Sequence, residues 1–442
     1  MLFEPFKLKT IELKNRILRS SMGGKTSYYG GAVSPAWQRF DTRIAERGVA
    51  ALISATISVD NRRWAPLQYP KISEDRFIAP LQAGVRAVKA HGCHYIMQIG
   101  DGGYHAQMSI LPKTEDSKTA SPMFDLVFGY TNRTTAMTVE EIEKTVSNFA
   151  AGARRAREAE FDGVEIAAHK GYLIHQFLNP GTNRRTDSYG GSTEKRFRLL
   201  REVIEATRKA VGQDYLLGVR MSAVDRNYLP VNLRLPVVFP LKHHLMGNTL
   251  TETLGYGREL AKLGVDYLHI TSGFGFINPG ESPGSWPVDE YRLYGNATRH
   301  LSTKAKIRSI LLNALPREVL TAIFGRGWHY RAAANVDYAH AFKEATGLPV
   351  IANGGFDKRA DIDAALDSGK CDLIAMARPL LANPDLLNLF RNGNEPERPC
   401  THCNRCAIAT AVLPLGCYDR SRFDSQDAME AQILWWSGGP SD

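Results

Sequence analysis

Eight short runs of apolar and β-branched residues alternate with amphipathic stretches along most of this chain. Runs of this length are typical of strands buried in a parallel sheet, and intervening segments such as residues 140–160 have the apolar and charged faces of a surface helix. Eight alternating units predict a (β/α)8 TIM barrel, whose active site forms at the carboxyl ends of the strands. The runs are 17–21, 49–55, 94–100, 163–169, 216–222, 267–273, 349–355 and 372–378.

Three segments depart from the regular alternation and define the predicted domain organisation. We expect one barrel domain over residues 1–395, with insertions at about 225–248 after the fifth strand and at 278–335 after the sixth. The longer insertion, which has a basic helical stretch, is either a surface helix hairpin or a lid, because loops after barrel strands lie on the catalytic face. Residues 396–442 form a short Cys-rich C-terminal segment.

Composition and charge exclude several classes of protein. The formal net charge is +9, but the basic residues are dispersed and no nucleic-acid-binding motif accompanies them, so we expect no nucleic-acid partner. No apolar run approaches the roughly 18 residues that a membrane span requires. The first residues lack the apolar core of a signal peptide. We therefore expect a cytoplasmic protein without a membrane partner, whose positive charge suits anionic small molecules.

Residues 161–198 combine a buried strand, a turn that bears Tyr172 and a Gly-Gly loop rich in arginine. This stretch, FDGVEIAAHKGYLIHQFLNPGTNRRTDSYGGSTEKRFR, resembles the fourth strand and following loop of the old yellow enzyme (NADH:flavin oxidoreductase) family. The resemblance extends from Leu2 to about Asn394. Members of that family are TIM-barrel enzymes that use flavin mononucleotide (FMN), so the resemblance implies this fold, this cofactor and hydride-transfer chemistry.

The resemblance also implies a flavin-binding site at the strand ends. Met22 and Ala55 match positions whose backbone faces the flavin, and Gly23 stands where relatives often place a Thr or Cys that tunes the isoalloxazine. Gln98 matches a glutamine that hydrogen-bonds the pyrimidine part of the ring. Arg220 matches an arginine beside the N1/C2 edge, where a fixed cation stabilises the negative charge of the reduced flavin.

The motifs IANGGF and MARPLL, at the ends of the seventh and eighth predicted strands, resemble the paired phosphate clamp of the family. Gly354 and Gly355 allow backbone amides to approach an anion closely, and Arg378 can contact it through two nitrogens. Ala377 replaces the usual glycine. TIM barrels commonly bind phosphate after these two strands.

The predicted catalytic turn departs from the family pattern. Relatives carry a His-x-x-Asn or His-x-x-His pair that binds the substrate carbonyl, whereas Ala167 and Lys170 occupy these positions here and Tyr172 keeps the place of the proton donor. The pattern is closer to the 2,4-dienoyl-CoA reductase branch, which also lacks the pair. Lys170 either binds an anionic or carbonyl oxygen, lowers the tyrosine pKa or points to solvent. His169 shares the strand parity of Ala167, so its ring either faces the site or packs behind it.

Four of the six cysteines, Cys400, Cys403, Cys406 and Cys417, fall within the C-terminal segment. In a cytoplasmic chain, this clustering favours metal or cluster binding over disulfides. Dienoyl-CoA reductase relatives hold a [4Fe-4S] cluster here, with one residue more between the second and third cysteines. Zinc, or a segment without metal, are the alternatives.

The resemblance implies an FMN-dependent oxidoreductase that moves hydride between flavin N5 and the β-carbon of an α,β-unsaturated carbonyl or thioester, including a CoA ester. Tyr172 exchanges the α-proton, in an ene-reductase or in the reverse desaturase. We find no GxGxxG motif after a strand, so electrons come either from NAD(P)H or from an electron-donor protein. The alternatives are an amine dehydrogenase or demethylase, and a non-catalytic flavoprotein electron carrier or partner subunit. Family analogy also implies a homo-oligomer.

Overall fold

The computed structural model describes residues 1–61, 69–108, 116–123, 134–227, 232, 242–275 and 278–438, with residues 106–108, 243 and 244 described by their backbone alone. Within these ranges eight parallel strands close into a barrel surrounded by helices, which confirms the predicted fold class. The strands, numbered in chain order, are β1 (Phe6–Leu8), β2 (Ile11–Leu13), β3 (Ile17–Arg19), β4 (Ala51–Ile53), β5 (Ile57–Ser58), β6 (His94–Gly100), β7 (Ser117–Thr119), β8 (Thr134–Ala136), β9 (Gly163–Ala168), β10 (Leu216–Ser222), β11 (Tyr267–Thr271), β12 (Val350–Asn353) and β13 (Leu373–Met376).

The barrel consists of β3, β4, β6 and β9 to β13, and each of these lies within one of the eight predicted runs. Strands that follow one another in the chain pair side by side, and β13 pairs with β3 to close the barrel, with Ile374 opposite Ile17. The antiparallel pair β1 and β2 precedes the barrel, β5 extends the edge of β6, and β7 pairs with β8 outside it. All barrel strands therefore end at the same mouth.

Helices surround the barrel and also form the insertion and the C-terminal segment. The predicted helix at 140–160 is α3, which starts with a capping box between Thr138 and Glu141. The helices are α1 (Pro35–Glu46), α2 (Ile78–Lys89), α3 (Val139–Glu158), α4 (Leu173–Leu178), α5 (Thr193–Val211), α6 (Lys242–Leu245), α7 (Leu250–Lys262), α8 (Val288–Thr298), α9 (Thr303–Ala314), α10 (Arg317–Phe324), α11 (Val336–Thr346), α12 (Arg359–Asp367), α13 (Arg378–Ala382), α14 (Leu386–Arg391), α15 (Arg405–Ala409) and α16 (Gln426–Ser437). Within the described residues, every helix is too short or too polar to cross a bilayer.

The closed end of the barrel is an apolar plug, whereas its open end is polar. Leu18, Ile96, Leu216 and Ile351 fill the interior near the amino ends of the strands, and the hairpin of β1 and β2 covers them from below. Burial of one such side chain contributes about 1.5–3 kcal/mol to stability. Between the sheet and the helices, a second and larger apolar layer holds the helices in place. The scaffold is therefore rigid below the mouth.

The segments outside the regular barrel pack onto it. In the shorter insertion, residues 228–231 and 233–241 lie outside the described residues. The longer insertion contains α8, α9 and α10, and its first residues reach the barrel mouth. In the C-terminal segment, α16 packs on α1 through Trp436 and Phe40, whose ring centroids are 5.0 Å apart. The Trp436 indole also donates to the Leu381 carbonyl at 3.2 Å.

Gly218 on β10 provides a test of the barrel packing. A Cβ at this position would lie 2.0 Å from Cζ of Tyr267, a buried ring whose hydroxyl donates to Glu165 at 3.2 Å. We expect Gly218→Ala to lower the free energy of unfolding by about 1–3 kcal/mol, because the ring cannot move without breaking that hydrogen bond. Urea unfolding monitored by circular dichroism measures the effect.

Gly255→Ala on α7 is the matched control. Apart from its neighbours and the backbone of its own helix, no atom of the described residues lies within 4 Å of a Cβ at this position. Alanine stabilises a helix by about 0.5–1 kcal/mol relative to glycine. Its unfolding midpoint should equal or exceed that of the unchanged protein. Equal midpoints for the two variants would contradict the packing described for Gly218.

Candidate functional site

A cavity opens at the mouth of the barrel, where the strands end. It contains about 960 Å³ of empty space, a volume that includes its open mouth. Its walls come from the strand ends, the start of the longer insertion and the C-terminal segment. Nine of the predicted site residues line it: Met22, Gly23, Lys170, Arg220, Gly354, Gly355, Ala377, Arg378 and Cys406.

Four other predicted residues are buried behind the wall of this cavity: Ala55, Gln98, His169 and Tyr172. The Ala55 carbonyl accepts a hydrogen bond from the Ser54 hydroxyl at 2.8 Å. Gln98 accepts from the Thr56 hydroxyl and donates to Glu165 Oε1 at 2.7 Å. Its amide is therefore bonded to the barrel interior and does not face the cavity in this structure.

Glu281, from the start of the longer insertion, enters the cavity and joins its cations. Its Oε1 atom lies 2.8 Å from Arg220 Nη2 and 3.3 Å from Lys170 Nζ, while His169 Nε2 is 3.9 Å away. The carboxylate is only 6% exposed, so these interactions are weakly screened by solvent. Two cations face one carboxylate, and the group as a whole carries excess positive charge. Lys170 points into the cavity, which excludes the solvent-facing alternative for it.

Burial determines the protonation of this group. It lowers the pKa of the Lys170 ammonium, and the nearby Glu281 carboxylate opposes that decrease. Burial also lowers the pKa of His169 well below its usual value, and the Arg220 and Lys170 cations add to the effect. The His169 ring is therefore neutral at ordinary pH. It lies edge-on to the Tyr172 ring, at a centroid distance of 5.7 Å, and packs behind the cavity wall.

The turn that carries Lys170 has an unusual backbone. Lys170 and Gly171 both adopt positive φ angles, of 55° and 72°, which is uncommon for a residue with a side chain and is often found at functional sites. The Gly171 amide donates to His175 Nδ1 at 3.0 Å. Since Nδ1 accepts, the ring carries its proton on Nε2, which donates to Asp225 at 2.9 Å. This buried pair holds the turn that presents Lys170.

Tyr172 and Tyr69 form a pair of tyrosine hydroxyls beside the cavity. Tyr172 is 1% exposed, and the nearby Thr56 and Tyr69 hydroxyls lower its pKa against the larger effect of burial. Burial raises the pKa of Tyr172 to about 12, so it is protonated at ordinary pH. Tyr69 lines the cavity, and its ring occupies the space beside Gly23, where an added Cβ would lie 2.1 Å from Tyr69 Cε1. Tyr69 thus fills the space that a side chain at position 23 would occupy.

At the predicted phosphate clamp, both glycines have positive φ angles, 91° at Gly354 and 79° at Gly355. Such angles favour glycine. The Arg378 guanidinium donates to the Pro283 carbonyl at 3.0 Å and to the Asn404 side chain. It therefore joins the strand end to the longer insertion and to the C-terminal segment.

The four predicted cysteine ligands line one small cavity of about 290 Å³, together with Arg378 and Arg422. No group of three or more His, Cys, Asp or Glu among the described residues is positioned to hold a single metal ion. Burial raises the pKa of Cys400 to about 11, so this thiol is protonated. Arg422 Nη1 donates to the Cys417 sulfur at 3.2 Å. Cys406 lines both this cavity and the large one, so only a thin wall separates the two.

Among the residues of the cavity wall that sequence reasoning missed are Tyr69 and Glu281. Neither belongs to a strand end, and each follows a segment without periodic pattern. For Glu281, a signal was available because it is the one acidic residue of the sequence NPGESPGSWP. For Tyr69, the glycine at position 23 indicated that another group fills that space.

The carboxyl ends of the strands are where TIM-barrel enzymes bind their ligands, and the cavity of this chain lies at that end. The chain belongs to the NADH:flavin oxidoreductase / NADH oxidase family, whose model matches residues 1–229 and 326–397. This confirms the family expected from residues 161–198 and identifies the protein as an oxidoreductase. The unmatched residues 230–325 include most of both insertions, so Glu281 lies in a part of the chain that the family pattern does not cover.

Individual relatives agree with this assignment. The metal reductase of Desulforamulus reducens is 30% identical over 94% of this chain and 53% of its own length. The cinnamate reductase of Clostridium sporogenes is 27% identical over 94% of this chain and 57% of its own length. The chain thus spans little more than half the length of these two relatives.

Solved structures of low sequence identity share the fold. A complex of 2-naphthoyl-CoA reductase superposes with a TM-score of 0.73 at 22% identity, covering 94% of this chain and 56% of the other. Histamine dehydrogenase from Rhizobium sp. 4-9 superposes with a TM-score of 0.69 at 21% identity, covering 93% of this chain and 50% of the other. At these identities the comparison supports the fold alone.

The ion pair between Glu281 and Lys170 can be tested by substitution. Glu281→Gln removes the carboxylate that raises the Lys170 pKa, so we expect that pKa to fall further, because burial then acts unopposed. Reductive ¹³C-methylation of lysines followed by NMR titration measures it. Glu290→Gln, in the same insertion but paired with Arg405, is the control. An unchanged Lys170 pKa in Glu281→Gln would show that the pair does not form in solution.

Proposed function

We propose that this protein is an FMN-dependent oxidoreductase that transfers hydride between flavin N5 and the β-carbon of an α,β-unsaturated carbonyl or thioester, with Tyr172 as the source of the α-proton. The observation that carries the proposal is the juxtaposition of excess positive charge, from Lys170 and Arg220 around Glu281, with a protonated tyrosine pair. Hydride addition to such a substrate creates negative charge on the carbonyl oxygen and a carbon that requires a proton.

The residues present fit FMN. Arg220 has two buried nitrogens, Nε and Nη1, without hydrogen-bond partners among the described residues, and buried donors of this kind are rarely left unpaired. Arg220 would hold the N1/C2 edge of the ring, with Met22 and Gly23 along it. Gly354, Gly355 and Arg378 would hold the phosphate. When bound, FMN would supply the hydride.

The substrate class follows from the charge of the cavity. Lys170 stands where the carbonyl-binding pair of relatives is missing, and its ammonium would bind the carbonyl oxygen and stabilise the enolate. Cinnamate reductase and 2-naphthoyl-CoA reductase are named for conjugated acid derivatives, which supports a substrate of this kind and includes CoA esters. Excess positive charge also suits the phosphates of CoA. Whether the enzyme reduces or desaturates its substrate depends on the redox partner that exchanges electrons with the flavin.

An amine dehydrogenase is the second candidate, and Glu281 is the observation in its favour. A carboxylate beside the tyrosines could bind a substrate ammonium, and histamine dehydrogenase shares the fold. Two cations already neutralise Glu281, however, and an ammonium would meet Lys170 and Arg220 as like charges. A non-catalytic electron carrier would have no use for a buried, protonated tyrosine pair at the cavity wall. The unsaturated carbonyl therefore remains the preferred substrate.

We also propose that the four cysteines hold a [4Fe-4S] cluster and that the branch resembling dienoyl-CoA reductase is the correct one. A zinc site brings four ligands to within about 2.3 Å of one ion, and the described residues do not form such a group. A cluster has a larger core and would use the small cavity shared by the four thiols. Burial raises the pKa of the Cys400 and Cys406 thiols, and Arg378 opposes that increase, which partly offsets the cost of the thiolates that a cluster requires.

The reaction is tested with protein loaded with FMN. NAD(P)H should reduce the flavin, and an enone or a cinnamoyl thioester should reoxidise it. Tyr172→Phe should slow the reoxidation by about 10²–10⁴-fold and leave reduction by NAD(P)H unchanged. Since the pKa of Tyr172 is about 12, its proton is lost only as the pH rises towards that value, and reoxidation should not decline between about pH 6 and 10 through this group.

Different results would redirect the proposal. Direct reduction of the flavin by a methylated amine, with no reoxidation by any enone or thioester, would favour the amine dehydrogenase. A Tyr172→Phe variant that reoxidises as fast as the unchanged protein would remove Tyr172 from proton transfer.

The metal proposal has its own measurement. After anaerobic purification we expect about four iron atoms and four sulfide ions per chain. The variant Cys406→Ser should lose most of both, whereas Cys93→Ser, at a buried cysteine outside the segment, should keep them. One zinc per chain, or no metal, would show the cluster assignment to be wrong.

A further inference from the structure

Three buried asparagine side chains fix the short loop that carries Glu281. Asn278 accepts a hydrogen bond from the Glu281 backbone amide at 2.9 Å. Asn335, immediately before α11, donates to the carbonyl of the preceding residue at 3.2 Å. Asn404, from the C-terminal segment, donates to the carbonyl of the following residue at 3.0 Å. Glu281 is therefore a built-in part of the cavity wall.

Glu281 binds one nitrogen of the Arg220 guanidinium and leaves the other two for a ligand. Its Oε1 atom accepts from Arg220 Nη2 at 2.8 Å. Nε and Nη1 are buried without hydrogen-bond partners among the described residues, which indicates that a ligand pairs with them. A planar guanidinium presents donors along more than one edge, so Arg220 can bind Glu281 and an anionic group at the same time. Binding of the flavin edge therefore does not require Glu281 to leave.

The Glu281 carboxylate weakens the effect that Arg220 has on a bound flavin. Hydride from NAD(P)H brings two electrons and one proton, which leaves one additional negative charge near N1 of the flavin and releases NAD(P)⁺. The Arg220 cation stabilises that charge, whereas a carboxylate beside the same guanidinium repels it. Glu281 is only 6% exposed, so solvent screens this repulsion weakly. Reduced flavin is therefore bound less tightly than it would be by Arg220 alone.

We propose that Glu281 is a positioning residue that lowers the reduction potential of bound FMN by acting on Arg220. The inference rests on the proposed function, because that function assigns Arg220 to the N1/C2 edge of the flavin. A lower potential makes the reduced flavin a stronger hydride donor to the substrate and makes its own reduction by NAD(P)H less favourable. Glu281 lies within residues 230–325, which the family pattern does not match, so the insertion supplies this adjustment.

The reduction potential of FMN-loaded protein, measured at equilibrium with a reference dye, tests the inference without turnover. Glu281 also faces Lys170 at 3.3 Å, and its removal would change the charge of that ammonium as well. The comparison is therefore made between Lys170→Met and Lys170→Met/Glu281→Gln. We expect reduced FMN to bind about tenfold more tightly in the double variant and oxidised FMN to bind equally. The two-electron potential then rises by about 30 mV.

Two controls separate the charge of Glu281 from its packing. Glutamine has the shape of glutamate and keeps an oxygen that accepts from Arg220, so the affinity of FMN-free protein for oxidised FMN, measured by fluorescence titration, should be the same in both proteins. Glu290→Gln, in the same insertion but paired with Arg405 at 3.8 Å, should leave the potential unchanged.

Different results would overturn the inference or the proposed function. Equal potentials in the two proteins would show that the Glu281 charge does not reach the flavin. Equally tighter binding of oxidised and reduced FMN in the double variant would show that Glu281 occupies the place of the ring. If the potential rises as expected but no enone or thioester reoxidises the flavin of the unchanged protein, the inference holds and the proposed substrate class is wrong. If the protein binds no FMN, both fail.

Discussion

Closure of the barrel is the constraint on which the rest of this structure depends. Parallel pairing between β13 and β3 sets Ile374 opposite Ile17 and brings the last predicted strand beside the first. Because the pairing is parallel, all strand ends meet at one mouth, and residues from β3, β10, β12 and β13 surround a single cavity. The chain closes a very long loop by this pairing, and the apolar layers inside and outside the barrel offset the entropic cost.

The barrel interior is apolar at the closed end and becomes ionic towards the mouth. The ionic layer supports the site above it. Above the apolar plug lies Glu165, completely buried, which accepts from Gln98 at 2.7 Å and from His269 Nδ1 at 3.0 Å. Burial alone would raise its pKa, but His269 and Arg220 hold the pKa below its usual value, so the carboxylate is ionised. A buried charge is stable only when it is well paired. This polar layer holds the side chains of Gln98 and Thr56 in place.

Structural features that follow from the periodicity of the sequence were predicted. Features that depend on contacts between distant segments of the chain were missed. All eight barrel strands follow from the alternation of runs. The position of Arg220 was expected from the family resemblance, whereas the sequence left open whether Lys170 faces the cavity or solvent. The inward orientation of the Gln98 amide depends on Thr56 and Glu165, which lie on other strands. Glu281 and Tyr69 come from loops whose length and composition contain no periodic signal. Such loops reach the site because the barrel beneath them positions their ends.

Glu281 also shows how an insertion can adjust a family site without changing the barrel. Arg220 and Lys170 alone would place two positive charges next to each other, which disfavours folding unless an anion is present. The Glu281 carboxylate lies 2.8 Å from Arg220 and 3.3 Å from Lys170. It therefore neutralises part of their charge, and one net positive charge remains. Lys170 is the more loosely held of the two cations, since its distance to Glu281 is the longer. Residues 230–325, which the family pattern does not match, therefore contribute the carboxylate that partly neutralises the cations of the cavity.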